Sequence, residues 1–175
     1  MRSAFTVIAV AAPFATAGEY GTAFALYADP TATVPAGAPP LKLTAHAMID
    51  GTDLTREAMG GSPKLTEPGD IVTTTEQSDV TVAPGGEVRV TAKVERRNGF
   101  AGRIPLEVRG LPHGVRVLDV GLNGILITEK DTSRTFVIYV EPWVQPTDHP
   151  FVVVAKQEGK NAESAAKSVL LRVKQ

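Results

Sequence analysis

The chain has 175 residues, of which 43% are hydrophobic and 21% charged, so it has enough apolar side chains for a core in one or two domains. The formal net charge of −1 gives no electrostatic reason to expect binding to nucleic acid or to an anionic membrane. The absence of cysteine excludes disulfide bonds, thiolate metal sites and cysteine nucleophiles.

The N-terminal segment fits two interpretations. Arg2 and the uncharged run that ends in Ala15-Thr16-Ala17 are typical of a signal peptide with its cleavage site. However, the run contains no leucine, is too short to span a bilayer, and alternates larger and smaller apolar residues as a strand does. We therefore predict a strand at Phe5–Ala12, with a signal peptide as the alternative.

Three further strands are predicted before residue 67. Thr22–Ala28 is the first, and a loop rich in proline, alanine and threonine follows it. Leu41–Ile49 and Leu54–Ala58 flank Asp50-Gly51, a dipeptide typical of a tight hairpin turn. Residues 60–70 contain several glycines and prolines and show no periodicity, so we place a linker at residues 67–70.

Residues 71–175 contain a regular series of short strands. Turn sequences such as Pro84-Gly85-Gly86, Asn98-Gly99 and Asn123-Gly124 occur between them. The predicted strands are Ile71–Val82, Val88–Val94, Arg103–Arg109, Val115–Val120, Ile125–Thr128, one around Phe136, one beginning at Pro150, and Ser168–Lys174. About eight strands with a turn roughly every 8–12 residues are typical of an all-β antiparallel sandwich. Residues 161–167 offer at most one helical turn.

A short phrase occurs twice and relates the two parts of the chain. Phe24–Pro30 (FALYADP) is repeated as Phe136–Pro142 (FVIYVEP), and Pro40–Ala45 is repeated as Pro150–Ala155. The spacing of about 110 residues fits a unit of one small β-domain. By this alignment residues 1–66 are the C-terminal half of a module, and residues 71–175 are a complete module.

The two copies also predict which side chains face a core. Positions that are apolar in both copies should point inward, because successive side chains on a strand point to opposite faces. Val152 aligns with Lys42 and Val154 with Thr44, so both valines are predicted to face outward. The predicted core positions on these two strands are Phe136, Ile138, Val140, Phe151, Val153 and Ala155.

The outward side of the last sheet is the candidate interaction patch. Val152, Val154 and Leu170 are predicted to be exposed there, with Arg109 and Arg172 at the rim. An exposed apolar patch can mark a contact surface, and we favour a neighbouring module or strand as its partner. The alternative is that these residues reflect the β-propensity of a partly exposed sheet.

The sequence offers no motif for catalysis or cofactor binding. It contains no G-x-S-x-G, no G-x-G-x-x-G and no P-loop, so we predict neither enzymatic activity nor a bound cofactor. His46, His113 and His149 lack the spacing of metal ligands and are predicted to be exposed polar residues.

Four acidic residues near the linker are candidate calcium ligands, since hard cations bind several oxygens. They are Asp50, Asp53, Glu67 and Asp70. Their spacing matches no known calcium loop, and aspartate is common in turns because it forms local hydrogen bonds there. We therefore predict no metal site.

Several turn phrases resemble those of bacterial Ig-like β-sandwich modules. They are Val82–Val88, Val94–Gly102 and Gly110–Val115, and Leu43–Gly51 with Thr55–Ala58 resembles the last hairpin of a preceding module. Such modules occur in tandem in large secreted proteins, often beside pre-peptidase C-terminal domains. The resemblance implies an Ig-like antiparallel sandwich and an exported location: periplasmic, cell-surface or secreted. The chain departs from antibody-type domains in that it has no cysteine pair.

Two functional hypotheses follow from this resemblance. The first is a non-catalytic structural or interaction module, a spacer or adhesive segment of an exported multidomain protein. Its partners would be neighbouring modules of the same protein, another surface protein or a polysaccharide. The alternative is a carbohydrate- or protein-binding accessory module attached to a secreted hydrolase. Trp143, Tyr20 and Tyr139 do not share a predicted strand, which argues against a sugar-binding aromatic face.

Overall fold

The computed structural model describes residues 39–62, 69–118, 120–121, 124–160 and 162–175. The predicted strands Phe5–Ala12 and Thr22–Ala28, and the signal-peptide alternative, lie outside these ranges. The chain divides into two compact units, of which one contains residues 39–62 and the other residues 69–175. Twelve strands lie in the described ranges: β1 Lys42–Ile49, β2 Thr52–Met59, β3 Ile71–Thr75, β4 Asp79–Val82, β5 Glu87–Arg96, β6 Ile104–Arg109, β7 Val115–Leu118, β8 Ile125–Ile127, β9 Ser133–Val140, β10 Thr147–Lys156, β11 Glu163–Ala165 and β12 Val169–Val173.

The first unit is described as an antiparallel hairpin of β1 and β2, in register from Lys42 opposite Met59 to Ile49 opposite Thr52. Asp50 and Gly51 both have positive φ, at 49° and 76°, which is the geometry of a two-residue hairpin turn. The predicted hairpin is therefore confirmed.

The second unit consists of two sheets packed face to face. One sheet has the strand order β3-β5-β9-β7, and the other has the order β4-β12-β10-β6-β8, with β11 paired to β10. All described pairings in this unit are antiparallel except that of β4 with β12, which is parallel. The described chain is therefore all-β, and its second unit is a β-sandwich, as predicted.

The core lies between the two sheets and confirms the predicted inward positions. Phe136, Ile138 and Val140 enter it from β9, and Phe151, Val153 and Ala155 enter it from β10. Val153 and Ile138 are completely buried. Full burial of one such side chain contributes roughly 1.5–3 kcal/mol, so these alternating positions determine which face of each strand turns inward.

The predicted first strand, Ile71–Val82, is in fact two strands in different sheets. β3 pairs with β5, whereas β4 pairs with β12 in the opposite sheet. The chain crosses between sheets at residues 76–78, where the Glu76 amide donates to the Thr91 carbonyl at 3.0 Å. The Gln77 side chain fixes the same point, since its Oε1 accepts from the Thr91 amide at 2.9 Å.

Two other sequence-based assignments are wrong. Residues 163–165 form strand β11 and no helical turn, because β12 pairs only with residues 147–151 of β10 and leaves the far half to β11. The Ser164 hydroxyl accepts from the Thr73 amide at 3.1 Å and so links β11 to the other sheet. His149 is not an exposed loop residue; it lies within β10 with 3% of its surface exposed, because β10 begins at Thr147.

The chain enters and leaves the sandwich at opposite ends. Ile71 pairs with Arg96 at one end, here called the linker end, where β5 finishes and β9 begins. Val173 pairs with Thr147 at the other end, here called the loop end, where β9 finishes and β10 begins. The ten residues of β10 run between the two ends, a length of about 30 Å at roughly 3.3 Å per residue.

Candidate functional site

The five residues of the predicted interaction patch all belong to the outer face of the larger sheet. Val152 lies directly opposite Arg109 of β6. On the other side of β10, Leu170 lies opposite Pro150 and Arg172 lies opposite Asp148. Since partners in an antiparallel pair point to the same face, these residues share one face of the sheet.

The predicted exposure of the two valines is wrong. Val152 is 9% exposed and Val154 is 3% exposed, although neither belongs to the core cluster between the sheets. Val154 lies opposite Glu107 on β6 and Ala165 on β11, and the pair of Lys156 with Glu163 is the next on the same face. Long charged side chains cover apolar surface with their aliphatic stems, so the face is closed where an open patch was expected.

An ion-pair network lies on this outer face. Arg109 contacts Glu163 at 2.7 Å and Glu107 at 2.8 Å. Lys156 contacts Glu107 at 2.6 Å and Glu163 at 3.7 Å. The four side chains come from β6, β10 and β11, so the network ties the short strand β11 to the sheet.

The network shifts the ionisation of its members in the directions that favour charge. Hydrogen bonds from Arg109, and then from Lys156, lower the pKa of Glu107 to about 2. The hydrogen bond from Arg109 likewise lowers the pKa of Glu163. Hydrogen bonds to Glu163 and Glu107 raise the pKa of Arg109. All three groups therefore remain charged near neutral pH.

Arg172 also takes part in ion pairs and does not border an open patch. Its guanidinium contacts Asp148 of β10 at 2.7 Å and Asp79 of β4 at 3.8 Å. It thereby links β12 to both of its neighbouring strands. The role of the five residues as a contact surface remains a prediction, and the structure assigns Arg109 and Arg172 an additional role in holding strands together.

The loop end carries a cluster of exposed aromatic and basic side chains. Trp143 is 55% exposed and follows β9 in a turn closed by the Val144 amide, which donates to the Glu141 carbonyl at 3.1 Å. The His113 ring lies 5.1 Å from the Trp143 ring, centre to centre. The two rings lie on neighbouring short turns and together form an exposed amphipathic surface.

Gly114 determines where Trp143 lies. Its φ is +81°, and a Cβ at this position would come within 2.6 Å of both Trp143 Cη2 and Val144 Cγ2. The Gly114 carbonyl also accepts from the Glu141 amide at 2.9 Å. The absence of a side chain therefore lets the tryptophan turn pack directly on the turn that precedes β7.

A second aromatic group lies beside this turn. The Arg116 guanidinium stacks over the Tyr139 ring, 4.8 Å from its centre, and forms an ion pair with Glu141. Arg116 and Tyr139 are direct partners across β7 and β9. We call Trp143, His113, Tyr139 and Arg116 the aromatic cluster.

Sequence reasoning missed the aromatic cluster because its members are distant along the chain. They lie on different strands and turns, and only the pairing of β7 with β9 brings the two turns together. The signals available in the sequence were the Gly110–Gly114 turn, which has a glycine at each end, and a tryptophan placed directly after a repeated proline.

The linker end is held by the side chain of Asp70. One carboxylate oxygen accepts from Asn98 Nδ2 at 3.1 Å, and the other accepts from Gln157 Nε2 at 3.1 Å and Lys160 Nζ at 3.3 Å. The hydrogen bond from Asn98, followed by those from Gln157 and Lys160, lowers the pKa of Asp70. The Asp70 carbonyl accepts from the Arg97 amide at 2.8 Å.

The remaining candidate residues do not gather into a site. The His46 ring nitrogen lies 3.1 Å from the Thr55 hydroxyl across the exposed hairpin. In the parts of the chain that the structure describes, no three His, Cys, Asp or Glu side chains are arranged to hold a metal ion. Glu67 lies outside those parts. No helix in the described ranges has the length and hydropathy of a membrane span.

Comparison with known proteins finds no matching family model and no matching curated protein. Solved structures with a similar arrangement include a family 123 glycoside hydrolase from Clostridium perfringens, with a TM-score of 0.44 and 6% identity over 61% of this chain and 27% of that one. For domains 4 and 5 of the S-layer protein SbsC, the TM-score is 0.40 and the sequence identity is 13%. The match covers 77% of this chain and 65% of that one. For the fibronectin(III)-like modules of Clostridium thermocellum CbhA, the TM-score is 0.37 and the sequence identity is 19%. The match covers 79% of this chain and 65% of that one.

These likenesses are too low to carry an argument about function. The chain also spans less than two thirds of each of these three solved chains. The fold assignment rests instead on the strand pairings: the described chain is all-β, with a hairpin unit followed by a two-sheet sandwich.

Proposed function

We propose that this protein is a non-catalytic structural and interaction module, a spacer or adhesive segment of an exported bacterial multidomain protein. We also retain the proposed division into a partial module at residues 1–66, a linker at 67–70 and a complete module at 71–175. Neighbouring modules of the same protein are the first partners to expect, followed by another surface protein or a polysaccharide.

One observation carries the spacer proposal: the chain enters and leaves the sandwich at opposite ends. Segments before and after such a unit are held apart by the length of the strands. Both points of attachment are fixed, at the linker end by the hydrogen bonds of Asp70 and at the loop end by the Lys174 amide, which donates to the Val82 carbonyl at 3.1 Å. A rigid unit that is fixed at both ends keeps the segments attached to it at a constant separation, as a spacer must.

The spacer proposal is tested by measuring that distance in the full chain. Spin labels are attached to the variant Gly69→Cys with Gln175→Cys, since the chain has no cysteine of its own. The expected result is a narrow distribution at about 30 Å or more, because the strands keep the ends apart. The pair Ala83→Cys with Gln175→Cys is the control, and its distance should be clearly shorter because both sites lie at the loop end. A broad or short distribution for the first pair contradicts the proposal.

The second candidate function, a carbohydrate- or protein-binding accessory module, is favoured by the aromatic cluster. Tryptophan, tyrosine and arginine are the residues that most often dominate the energetics of protein interfaces. Trp143 is the single tryptophan of the chain, so its fluorescence reports directly on anything that covers this surface.

The binding candidate is tested by titrating the full chain with soluble glucan and xylan oligosaccharides and measuring heat and Trp143 emission. Saturable binding that is lost in Trp143→Ala and kept in Val120→Ala supports it. Val120 is the matched control because it is 50% exposed and lies outside the cluster. Absence of saturable binding, or binding that Trp143→Ala leaves unchanged, rules out this surface as a carbohydrate site.

A further inference from the structure

We propose that the parallel pair of β4 and β12 is a mechanical clamp that bears tension applied along the chain. The inference rests on the proposed spacer function, since a spacer transmits any force between the segments attached to it. That force enters the sandwich at Asp70, before β3 and β4, and leaves it at Lys174, after β12. The strands at these two points decide how the unit resists being pulled apart.

The direction of the force follows from the topology. β4 is parallel to β12, from Asp79 opposite Leu170 to Val82 opposite Val173. β4 is joined through β3 to the linker end, whereas β12 runs out at the loop end. Tension along the chain therefore pulls the two strands in opposite directions along their own axes.

This geometry loads the hydrogen bonds between β4 and β12 together. Hydrogen bonds between two strands that are sheared along their axes share the force, whereas bonds at a peeling end break one after another. In a parallel pair every second residue directs both its N–H and its C=O to the partner strand. The Leu170 amide donates to the Ser78 carbonyl at 3.0 Å and the Lys174 amide to the Val82 carbonyl at 3.1 Å, one at each end of the pair.

The two strands are also fixed to the rest of the unit. The side chains of Val80 and Val82 are buried in the core, so β4 cannot slide without exposing them. β12 is paired on its other side with β10, from Phe151 opposite Val169 to Thr147 opposite Val173. On that side too, the antiparallel strands would have to slide past each other under the same force.

The proposal is tested by pulling the full chain through pairs of cysteines, which are unique because the chain has none. Ser78→Cys and Ala83→Cys lie at the two ends of β4, and both positions are exposed. Each is combined with Gln175→Cys. The pair at 78 and 175 shears β4 from β12, whereas the pair at 83 and 175 pulls the same strands apart from the loop end.

The expected result is that the sandwich unfolds at least about tenfold more slowly through the 78 and 175 tether than through the 83 and 175 tether at the same constant force, since forced unfolding is governed by the unfolding rate. The tether at 69 and 175 should behave like the 78 and 175 tether. Equal rates for the 78 and 83 tethers overturn the clamp.

Folding and spacing are checked separately. Each variant should keep the Trp143 emission and the denaturation midpoint of the parent chain. Equal rates together with a long distance between positions 69 and 175 overturn the clamp alone. A short distance between those positions overturns the spacer proposal as well.

Discussion

At the scale of single residues, the two faces of β10 differ in what buries them. Val153 is buried by hydrophobic neighbours from the opposite sheet, whereas Val154 is buried on the outer face beside the ion-pair network. Both side chains are inaccessible, but Val153 belongs to the hydrophobic core, whereas Val154 lies opposite the charged Glu107. Burial alone therefore does not predict how each position tolerates a charge.

We expect Val153→Lys to cost several kcal/mol, because it places an unpaired ammonium in the core. Val154→Lys should cost clearly less, on the order of 1–2 kcal/mol, because a lysine there can extend its stem and pair with Glu107 or Glu163. Urea denaturation followed by Trp143 emission measures both in the sandwich unit. Equal losses of stability would show that the outer face is as dry as the core.

Gly114→Ala should destabilise the sandwich by more than the cost of a left-handed residue alone, which is roughly 1–2 kcal/mol. The added Cβ meets Trp143 and Val144, so the tryptophan turn must move and the Trp143 emission should shift. Gly159→Ala is the matched control, since Gly159 has a φ of +79° and no atom within 4 Å of the added Cβ. If Gly114→Ala and Gly159→Ala lose the same stability and have the same Trp143 emission spectrum, the contact of Gly114 with Trp143 and Val144 does not matter for stability.

At the scale of elements, side-chain contacts hold the short strands in place as much as their backbone hydrogen bonds do. β11 has three residues, and its Glu163 pairs with Arg109 of β6. Lys156 of β10 pairs in turn with Glu107 of β6. β3 and β4 are likewise two short strands, and the crossover between them is held by the hydrogen bonds of Glu76 and Gln77. Surface ion pairs contribute little singly, but a network with shared partners fixes geometry.

The lowered pKa of Glu107 predicts a specific pH dependence. Because its folded-state pKa is about 2 and its unfolded value is about 4.3, the ionised carboxylate stabilises the fold fully above pH 4.3 or so and loses that effect as pH falls toward 2. Glu107→Gln should therefore lower stability at pH 7, and the difference from the parent chain should shrink between about pH 4.5 and 2.

Chemical denaturation across this pH range, again followed by Trp143 emission, measures the effect. Glu129→Gln is the control, because Glu129 lies outside the network. A difference between the Glu107 variant and the parent that stays constant from pH 7 to pH 2 would show that the network does not stabilise the ionised carboxylate.

At the scale of the whole molecule, the two units differ in what they can bury. The sandwich has a continuous core between its sheets, whereas the described hairpin leaves nearly all of its side chains exposed. A two-stranded hairpin by itself is marginally stable in water. The two strands of the hairpin supply almost no buried surface, whereas the sandwich has a hydrophobic core between its sheets.

We expect residues 69–175 to fold when they are expressed alone and to give a dispersed amide NMR spectrum. Residues 39–62 as a peptide should give the spectrum of a largely unfolded chain. The segment 71–175, which lacks Asp70, should be less stable than 69–175 because Asn98, Gln157 and Lys160 lose their shared acceptor. A disordered spectrum for 69–175 would contradict the proposed domain division.

The sequence by itself determined the fold class, the hairpin and the inward face of β9 and β10. These features depend on local alternation and turn chemistry, and Phe136, Ile138, Phe151 and Val153 follow a period of two that has one satisfactory solution: a strand with one face in a core. The sequence also grouped Val152, Leu170 and Arg109 on one face for the same reason.

Only the tertiary structure decided how that outer face is closed, how the first strand is divided and where the aromatic cluster forms. Each depends on contacts between residues far apart in the chain: Glu163 with Arg109, Thr91 with Gln77, and Gly114 with Trp143. Periodicity assigns a side chain to a face but carries no information about which strand lies beside it. The opposite placement of the chain's points of attachment, on which the proposed function rests, is likewise a property of the strand order alone.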